Sequence, residues 1–208
     1  FDTRTVAASV DPVAFERHSA VLPEFYDFEG ERKPLAQFLE DTWTTGLVVL
    51  VNGQLAHQEY FLGNDSGSRT ISWSVAKSVV SALVGIALGE GLIKNTGEAV
   101  TDYVPSLAGS GYAGTTLEDV LTMSSGVRFD EDYGDFNSDI NRMGRAIAFG
   151  TSIDEFVRSL QPERPPGTYH HYVSMDTQVL AMVLRAATGE TLSSYIHRPL
   201  LQLVSTES

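Results

Sequence analysis

A long apolar segment, residues 75–92, places the strongest constraint on how this chain can fold. Its apolar side chains occur on nearly every side of a helical projection rather than along one stripe, and glycines stand near its end at positions 89 and 91. Helices with this pattern are typical of protein interiors. We therefore predict a helix that is buried on all sides and that needs a sheet or another layer to cover it.

One pair of strands is predicted just before this helix. Gly46–Val51 is rich in β-branched residues, Asn52-Gly53 has the composition of a two-residue hairpin turn, and residues 54–62 alternate between polar and apolar. A lone two-stranded hairpin is not stable in water, and no later segment has the pattern of a strand. We therefore expect this to be a truncated chain whose C-terminal strands are missing.

The region before the hairpin predicts a segment that wraps around the main domain. Residues 11–20 have the pattern of a helix, a connection with proline and glycine follows, and a second short helix ends near Trp43. We divide the chain into an N-terminal wrapping segment, residues 1–44, and a domain, residues 45–208. The order of elements predicts the α+β fold class.

The region after the apolar helix predicts further helices with an acidic loop among them. Two of these helices begin with the pattern of a capping box, Thr116-x-x-Asp119 and Ser152-x-x-Glu155. Two later helices are expected at residues 176–187, ending before Gly189, and from residue 192 toward 201.

Composition and charge exclude several classes of protein. The 208 residues include 14 Lys and Arg against 27 Asp and Glu, and the net charge of −13 argues against nucleic-acid binding. Cysteine is absent, which excludes disulfides, thiolate metal ligands and a cysteine nucleophile. His170-His171 lacks a carboxylate at ligand spacing, so no metal is expected. No apolar run is long enough to span a membrane, and the compartment and oligomeric state stay open.

Ser74 and Lys77 form the first candidate for a catalytic pair. A lysine three residues after a serine lies on the same helical face, so its amine can reach the hydroxyl. Serine needs a base to take its proton, and a desolvated lysine near a helix N-terminus has a lowered pKa that suits this task. An unpaired ammonium is also costly inside an apolar segment. The alternative is that Ser74 caps the helix and Lys77 lies on the surface.

Tyr172 and Ser174 form the second candidate. They follow a proline-rich loop, residues 162–167, and precede a predicted helix, so both oxygens can reach one site. The alternative is a packed aromatic ring with Ser174 as a helix cap. A negative rim could attract a cationic substrate group, although a solvated loop is the simpler interpretation of the acidic residues Asp130, Glu131, Asp132, Asp135 and Asp139.

Four motifs, in this order along the chain, resemble those of the serine β-lactamase and penicillin-binding-protein superfamily. They are Ser74-x-x-Lys77 at the start of the apolar helix, Asp102-Tyr103-Val104-Pro105, the run Leu-Glu-Asp-Val-Leu-Thr-Met-Ser-Ser-Gly at 117–126, and Pro166-Gly167 ahead of Tyr172-x-Ser174. The resemblance covers residues 46–201. It implies a β-lactamase-like fold, in which an antiparallel sheet is flanked by helices and joined to a helical lobe.

The resemblance also implies an activity. Tyr-x-Ser together with the loop Glu131-Asp132-Tyr133 is similar to the 6-aminohexanoate-oligomer hydrolases and carboxylesterases, whereas class C β-lactamases have Tyr-x-Asn. By this resemblance Ser74 would attack a small ester or amide, Lys77 would accept its proton and Tyr172 would protonate the leaving group. Tyr133 and Ser174 would contact the substrate, and the oxyanion hole would combine the Ser74 N–H with one from a late strand. No cofactor is implied.

Two alternatives stay open at this point. A penicillin-binding protein or D-alanyl-D-alanine peptidase would be acylated stably by penicillin, and a truncated, non-catalytic remnant would keep Ser74 and Lys77 without a working site. The superfamily's third motif, Lys-Thr-Gly or His-x-Gly, is absent from this chain. We therefore expect the chain alone to be inactive unless a missing C-terminal part or a second chain completes the site.

Overall fold

The computed structural model describes residues 4–7 and 14–197, which divide into two compact units. The described part of the smaller unit is residues 14–71, and that of the larger unit is residues 4–7 and 72–197. The division into a wrapping segment and a domain at residue 45 stays a prediction.

The smaller unit contains two antiparallel hairpins and one short helix. Its elements are β1 (Phe25–Phe28), β2 (Glu31–Pro34), α1 (Leu35–Asp41), β3 (Gly46–Val51) and β4 (Gln54–Tyr60). In the second hairpin Val51 pairs with Gln54 and Gly46 with Tyr60. Its turn residues Asn52 and Gly53 have φ of 51° and 78°, as the primed turn requires. The predicted hairpin and the helix that ends near Trp43 are confirmed.

Two features of this unit differ from the sequence prediction. The first hairpin, β1 with β2, was predicted as a connection, and its turn contains Glu29 and Gly30 at positive φ. The predicted helix at residues 11–20 is wrong over residues 14–20, whereas residues 11–13 lie outside the described part. Residues 14–20 run alongside β4: the Leu55 N–H donates to the Glu16 carbonyl and the His18 N–H to the Leu55 carbonyl. Pairing with a free strand edge outweighed local helical preference.

The larger unit is helical and is organised around one long helix near its C-terminal end. Its elements are α2 (Val75–Gly89), α3 (Val100–Tyr103), a 3₁₀ turn (Pro105–Leu107), α4 (Leu117–Leu121), α5 (Asp139–Ala148), α6 (Ile153–Ser159), α7 (Ser174–Thr188) and α8 (Leu192–His197). Helix α7 contacts α2, α3, α4, α6 and α8. Its residues from Val179 to Leu184 are all buried and form the centre of the core.

Helix α2 is the element for which the burial prediction is wrong. Leu83, Val84 and Ala87 are buried, and α2 makes its main contact with α7. Ser78, Ala82 and Gly85 are exposed. Because α2 packs mainly on α7, only one of its faces is covered. Hydrophobic periodicity cannot distinguish that covered face from an exposed face made of small residues.

The predicted helix ends agree with the structure, apart from the side-chain cap expected at the start of α6. Thr116 and Asp119 form a reciprocal capping box, in which the Asp119 carboxylate accepts from the Thr116 N–H at 2.9 Å. Ser152 precedes α6, as predicted, but its side chain does not cap the helix. Gly189 ends α7 at φ 69°, and α8 is described only as far as residue 197. None of the helices described is long and apolar enough to cross a membrane.

Candidate active site

Ser74 stands in a tight turn that leads into α2. Trp73 before it has φ 46°, a left-handed conformation that is uncommon for a bulky residue. Short-range backbone hydrogen bonds close the turn, including those from the Val75 N–H to the Ser72 carbonyl and from the Lys77 N–H to the Ser74 carbonyl. The Ser74 side chain makes no capping hydrogen bond. Its hydroxyl is therefore available for side-chain partners, unlike in the simple helix-cap interpretation.

The Ser74 hydroxyl accepts hydrogen bonds from two other predicted site residues. Lys77 Nζ lies 3.1 Å from Ser74 Oγ, and Tyr172 Oη lies 2.9 Å from the same oxygen. Lys77 Nζ is also 5.0 Å from the centre of the Tyr172 ring, within the range of a cation–π contact. The three side chains thus form one cluster in which every separation suits proton transfer or charge stabilisation.

The loop that bears Tyr172 is held by the segment with the Leu-Glu-Asp-Val-Leu-Thr-Met-Ser-Ser-Gly motif. The His171 N–H donates to the Met123 carbonyl at 2.8 Å, and the Gly167 N–H donates to the Ser124 carbonyl at 2.8 Å. His171 Nε2 also lies 2.9 Å from the Phe129 carbonyl oxygen. The motif at 117–126 and the loop that begins at Pro166-Gly167 are therefore bonded to each other, and together they hold Tyr172 in place.

A glycine lets these two segments approach each other closely. Gly126 has φ 73°, and a Cβ atom at this position would overlap the carbonyl oxygen of Arg164. The Gly126 carbonyl oxygen also accepts hydrogen bonds from the N–H groups of Glu163 and Arg164, at 2.9 and 3.0 Å. Only glycine meets both requirements, positive φ and contact with backbone.

Ser174 is the first residue of α7, and it is held by a residue for which the sequence analysis gave no separate role. The Ser174 N–H donates to Glu131 Oε1 at 2.9 Å. A carboxylate at this end of a helix is favoured by the helix dipole. Glu131 thereby connects the acidic loop to the Tyr172-x-Ser174 segment. No spacing rule could reveal this contact, because the two residues are 43 positions apart.

The other acidic residues of the loop bind the loop's own backbone. Asp130, Asp132 and Asp135 each accept the N–H of the residue two positions later. Asp139 accepts the Asp130 N–H at 3.0 Å and pairs with Arg142 at 2.8 Å. These contacts support the interpretation as a structured, solvated loop. Within the described ranges, no group of His, Cys, Asp and Glu side chains is arranged to hold a metal ion.

A cavity of about 640 Å³ opens beside Ser74 and Lys77. Tyr133 and Ser174 also line it, and the Tyr133 side chain is 69% exposed. The structure therefore places four of the five predicted site residues around one cavity, and Tyr172 reaches it through its hydrogen bond to Ser74.

A buried carboxyl group lies behind the site, and the sequence analysis missed it. Asp176 is fully buried in the first turn of α7, and Tyr112 Oη donates to its Oδ1 at 2.9 Å. Burial raises the pKa of Asp176 to about 7, although the Ser125 and Tyr112 hydroxyls act in the opposite direction. Burial and the neighbouring Asp176 raise the pKa of Tyr112 well above its usual value.

Comparison with known proteins agrees with this fold. A helical unit with Ser-x-x-Lys at the start of a helix and a tyrosine against the serine defines a β-lactamase-like protein. The sequence model of the Beta-lactamase family matches residues 33–206, and the chain belongs to this family. The chain is 34% identical over 173 residues to a 6-aminohexanoate-dimer hydrolase of Paenarthrobacter ureafaciens.

Solved structures show the same fold. A Bacillus anthracis protein described as a 6-aminohexanoate-dimer hydrolase superposes with a TM-score of 0.79 at 21% identity, over 91% of this chain and 52% of its own. A class C β-lactamase superposes with a TM-score of 0.57 at 20% identity, over 81% of this chain and 46% of its own. The match to the Paenarthrobacter protein covers 78% of this chain and 44% of that protein. The chain thus spans about half the length of these relatives.

Proposed function

We propose that this chain carries the nucleophile of a serine hydrolase that cleaves an ester or amide bond through an acyl-enzyme. The observation that supports this most strongly is the placement of Lys77 Nζ and Tyr172 Oη at 3.1 and 2.9 Å from a Ser74 hydroxyl that caps no helix. The substrate class is that of carboxylesterases or 6-aminohexanoate-dimer hydrolases. The relative at 34% identity is named for the hydrolysis of a small amide, which supports this reaction class but does not specify the acyl chain.

The reaction proposed for this geometry has two stages. Lys77 Nζ takes the proton of Ser74 as the serine oxygen attacks the carbonyl carbon, and the carbonyl oxygen becomes an oxyanion. Tyr172 supplies a proton to the leaving alcohol or amine and regains one through Lys77. Water then attacks the acyl-Ser74 ester and loses its proton to the same pair, which returns the proton to Ser74 Oγ as the acyl C–O bond breaks and the acid is released.

The backbone supplies one donor for the oxyanion. In the part of the chain that the structure describes, no acceptor takes the Ser74 N–H. A preorganised donor of this kind contributes about 10²- to 10³-fold to the rate. We assign the Ser74 N–H to this role.

The test is covalent labelling of Ser74. A small fluorophosphonate is incubated with the protein together with any C-terminal part or second chain that completes the site, the adduct is found by intact mass, and its position is mapped on peptides. We expect one adduct, on Ser74, that Ser74→Ala removes. Ser78→Ala is the matched control, because Ser78 is an exposed serine one turn further along the same helix. An unlabelled Ser74, or an adduct that persists in Ser74→Ala, would contradict the proposal and favour a non-catalytic remnant.

A second measurement separates the hydrolase from a penicillin-binding protein. Benzylpenicillin is added in place of the fluorophosphonate, and the acylated mass is followed over hours. By the resemblance, class C β-lactamases have Tyr-x-Asn where this chain has Tyr172-x-Ser174, so we expect no lasting penicilloyl adduct. A stable adduct on Ser74 would favour the penicillin-binding alternative.

A further inference from the structure

The cavity beside Ser74 is walled by one face from each of two helices. Helix α5 contributes residues 140, 141, 143, 144 and 147, and α7 contributes residues 174, 175, 177, 178 and 181. Four members of each set have the spacing i, i+3, i+4, i+7, which places them on one helical face. Ile140, Met143 and Ile147 make most of the α5 wall apolar, and Asn141 is its polar member. The volume of about 640 Å³ is within the range of small-molecule sites.

This cavity contains no carboxylate in its described lining. Lys77 is the charged side chain among those residues, and it is bound to Ser74 at the reacting end. The acidic loop nearby contributes Tyr133 but no carboxylate to the described lining, and its Asp130, Asp132 and Asp135 accept N–H groups of their own loop. Glu131 accepts the Ser174 N–H with Oε1, its Oε2 has no hydrogen-bond partner in the part of the chain that the structure describes, and Glu131 is not among the described lining residues. A cationic group in the cavity would find no anionic partner among the described side chains that line it.

We propose that the cavity binds the acyl part of the substrate as an uncharged aliphatic chain and discriminates against a chain that ends in an ammonium. The inference rests on the proposed function, which places the reacting carbonyl at Ser74. An aliphatic chain gains affinity with each methylene that is removed from water, about fourfold each. An ammonium in the same place loses its hydration and finds amide and hydroxyl oxygens but no carboxylate in the described lining. In this respect the chain differs from what the name of its 6-aminohexanoate-dimer relative indicates for that protein.

Acylation rates of three esters test the proposal. The p-nitrophenyl esters of butanoate, hexanoate and 6-aminohexanoate are compared at pH 7 by p-nitrophenolate release and by the mass of acyl-Ser74. We expect hexanoate to exceed butanoate by about 15-fold, since two more methylenes are buried. We also expect hexanoate to exceed 6-aminohexanoate by at least about tenfold. A 6-aminohexanoate ester that reacts as fast as hexanoate overturns the proposal.

A pair of variants at one wall position tests the role of charge. Met143→Glu and Met143→Gln have nearly the same shape, and only the first adds a carboxylate to the α5 wall. We expect the rate ratio of the 6-aminohexanoate ester to the hexanoate ester to be at least about tenfold higher in Met143→Glu than in Met143→Gln. Equal ratios overturn the proposal. If Met143→Glu fails to fold, Ile147→Glu and Ile147→Gln make the same comparison from the next turn.

A binding measurement separates this inference from the proposed function. Ser74→Ala, labelled at its Ile and Met methyl groups, is titrated with N-methylhexanamide and with 6-amino-N-methylhexanamide and followed by NMR. Shifts at Ile140, Met143 and Ile147 with the first ligand, and at least about tenfold weaker binding of the second, support the cavity even if no ester acylates Ser74. If all esters are turned over at the same rate and no NMR shifts occur at these three residues, the proposed hydrolase function stands and the acyl-binding role of the cavity is overturned.

Discussion

Lys77 illustrates what a single residue contributes to this site. Its amine is 3.1 Å from the Ser74 hydroxyl, and its alkyl stem lies in the first turn of a helix whose later residues are apolar. The side chain is half-buried, and it also contacts the Tyr172 ring. Removing the amine therefore removes the proposed base and one contact of the tyrosine ring while leaving the helix residues that form the core unchanged.

We expect Lys77→Ala to lower the rate of Ser74 acylation by about 10²- to 10⁴-fold, the usual contribution of a general base. The Tm should change by only a few degrees, because no unpaired buried charge is created. The measurement is the rate of adduct formation by mass, with Tm by circular dichroism. Lys94→Ala, at an exposed lysine just after the same helix, should react normally. Near-normal acylation of Lys77→Ala would show that another group is the base.

At the scale of elements, two contacts position the N-terminal end of α7. Glu131 binds the first N–H of the helix, and the loop before the helix is held by segment 123–129. Tyr172 and Ser174 stand between these two supports. Their geometry relative to Ser74 is thus a property of neighbouring elements rather than of the Tyr-x-Ser motif itself.

Substitution of Glu131 should weaken this end of α7 in a graded way. Glu131→Gln keeps an oxygen for the Ser174 N–H but loses the charge, at an expected cost of about 0.3–1 kcal/mol. Glu131→Ala leaves the N–H without its acceptor, and we expect a cost of about 1–3 kcal/mol. Urea unfolding measures both. Glu155→Gln is the control, since Glu155 is exposed in the first turn of α6. Equal stability of all three variants would show that the Glu131 contact contributes nothing.

Gly126→Ala tests the close approach between the two loop segments. The positive φ alone costs about 1–2 kcal/mol for a residue with a Cβ, and overlap with the Arg164 carbonyl adds to it. Gly114→Ala isolates the first effect, because Gly114 has φ 79° but nothing within 4 Å of a Cβ. We expect Gly126→Ala to be less stable than Gly114→Ala by at least about 2 kcal/mol in urea unfolding and to label more slowly at Ser74. Equal losses in the two variants would contradict the close approach.

At the scale of the whole molecule, the buried Asp176 makes stability depend on pH. Its pKa is about 7 in the folded state, against an ordinary value of 3.8, so the folded protein holds this proton more tightly than the unfolded chain does. The free energy of unfolding should therefore decrease as pH rises from about 4 to 7. The difference between these two pKa values corresponds to a loss of about 4 kcal/mol in the free energy of unfolding once Asp176 is fully ionised.

Asp176→Asn should remove this dependence. The amide oxygen can still accept from Tyr112 Oη, and an amide does not ionise in this range. Urea unfolding of the variant and the wild type at pH 4, 5, 6 and 7 gives the difference in slope. Asp135→Asn, at an exposed loop residue, should retain the wild-type slope. If Asp176→Asn and the wild type lose stability in parallel, Asp176 is not the group responsible.

Short-range features were predictable from the sequence for a physical reason. The turn at Asn52-Gly53, the capping box of Thr116 with Asp119, and the end of α7 at Gly189 each depend on residues within a few positions of one another. The spacing of Ser74 and Lys77 has the same character. Family resemblance, not spacing, brought Tyr172 into the predicted site, since it is 98 positions from Ser74.

The sequence by itself determined the local turns, most helix ends, the Ser-Lys pair and, through its motifs, the membership of the Beta-lactamase family. Only the tertiary structure decided that residues 14–20 pair with β4, that one face of α2 is exposed, and that Glu131 and Asp176 support α7. The apolar cavity between α5 and α7 was likewise decided only by the tertiary structure. The reason is that bonds to a strand edge, burial and cavity walls depend on which distant segments meet, and hydrophobic periodicity reports only on neighbours along the chain.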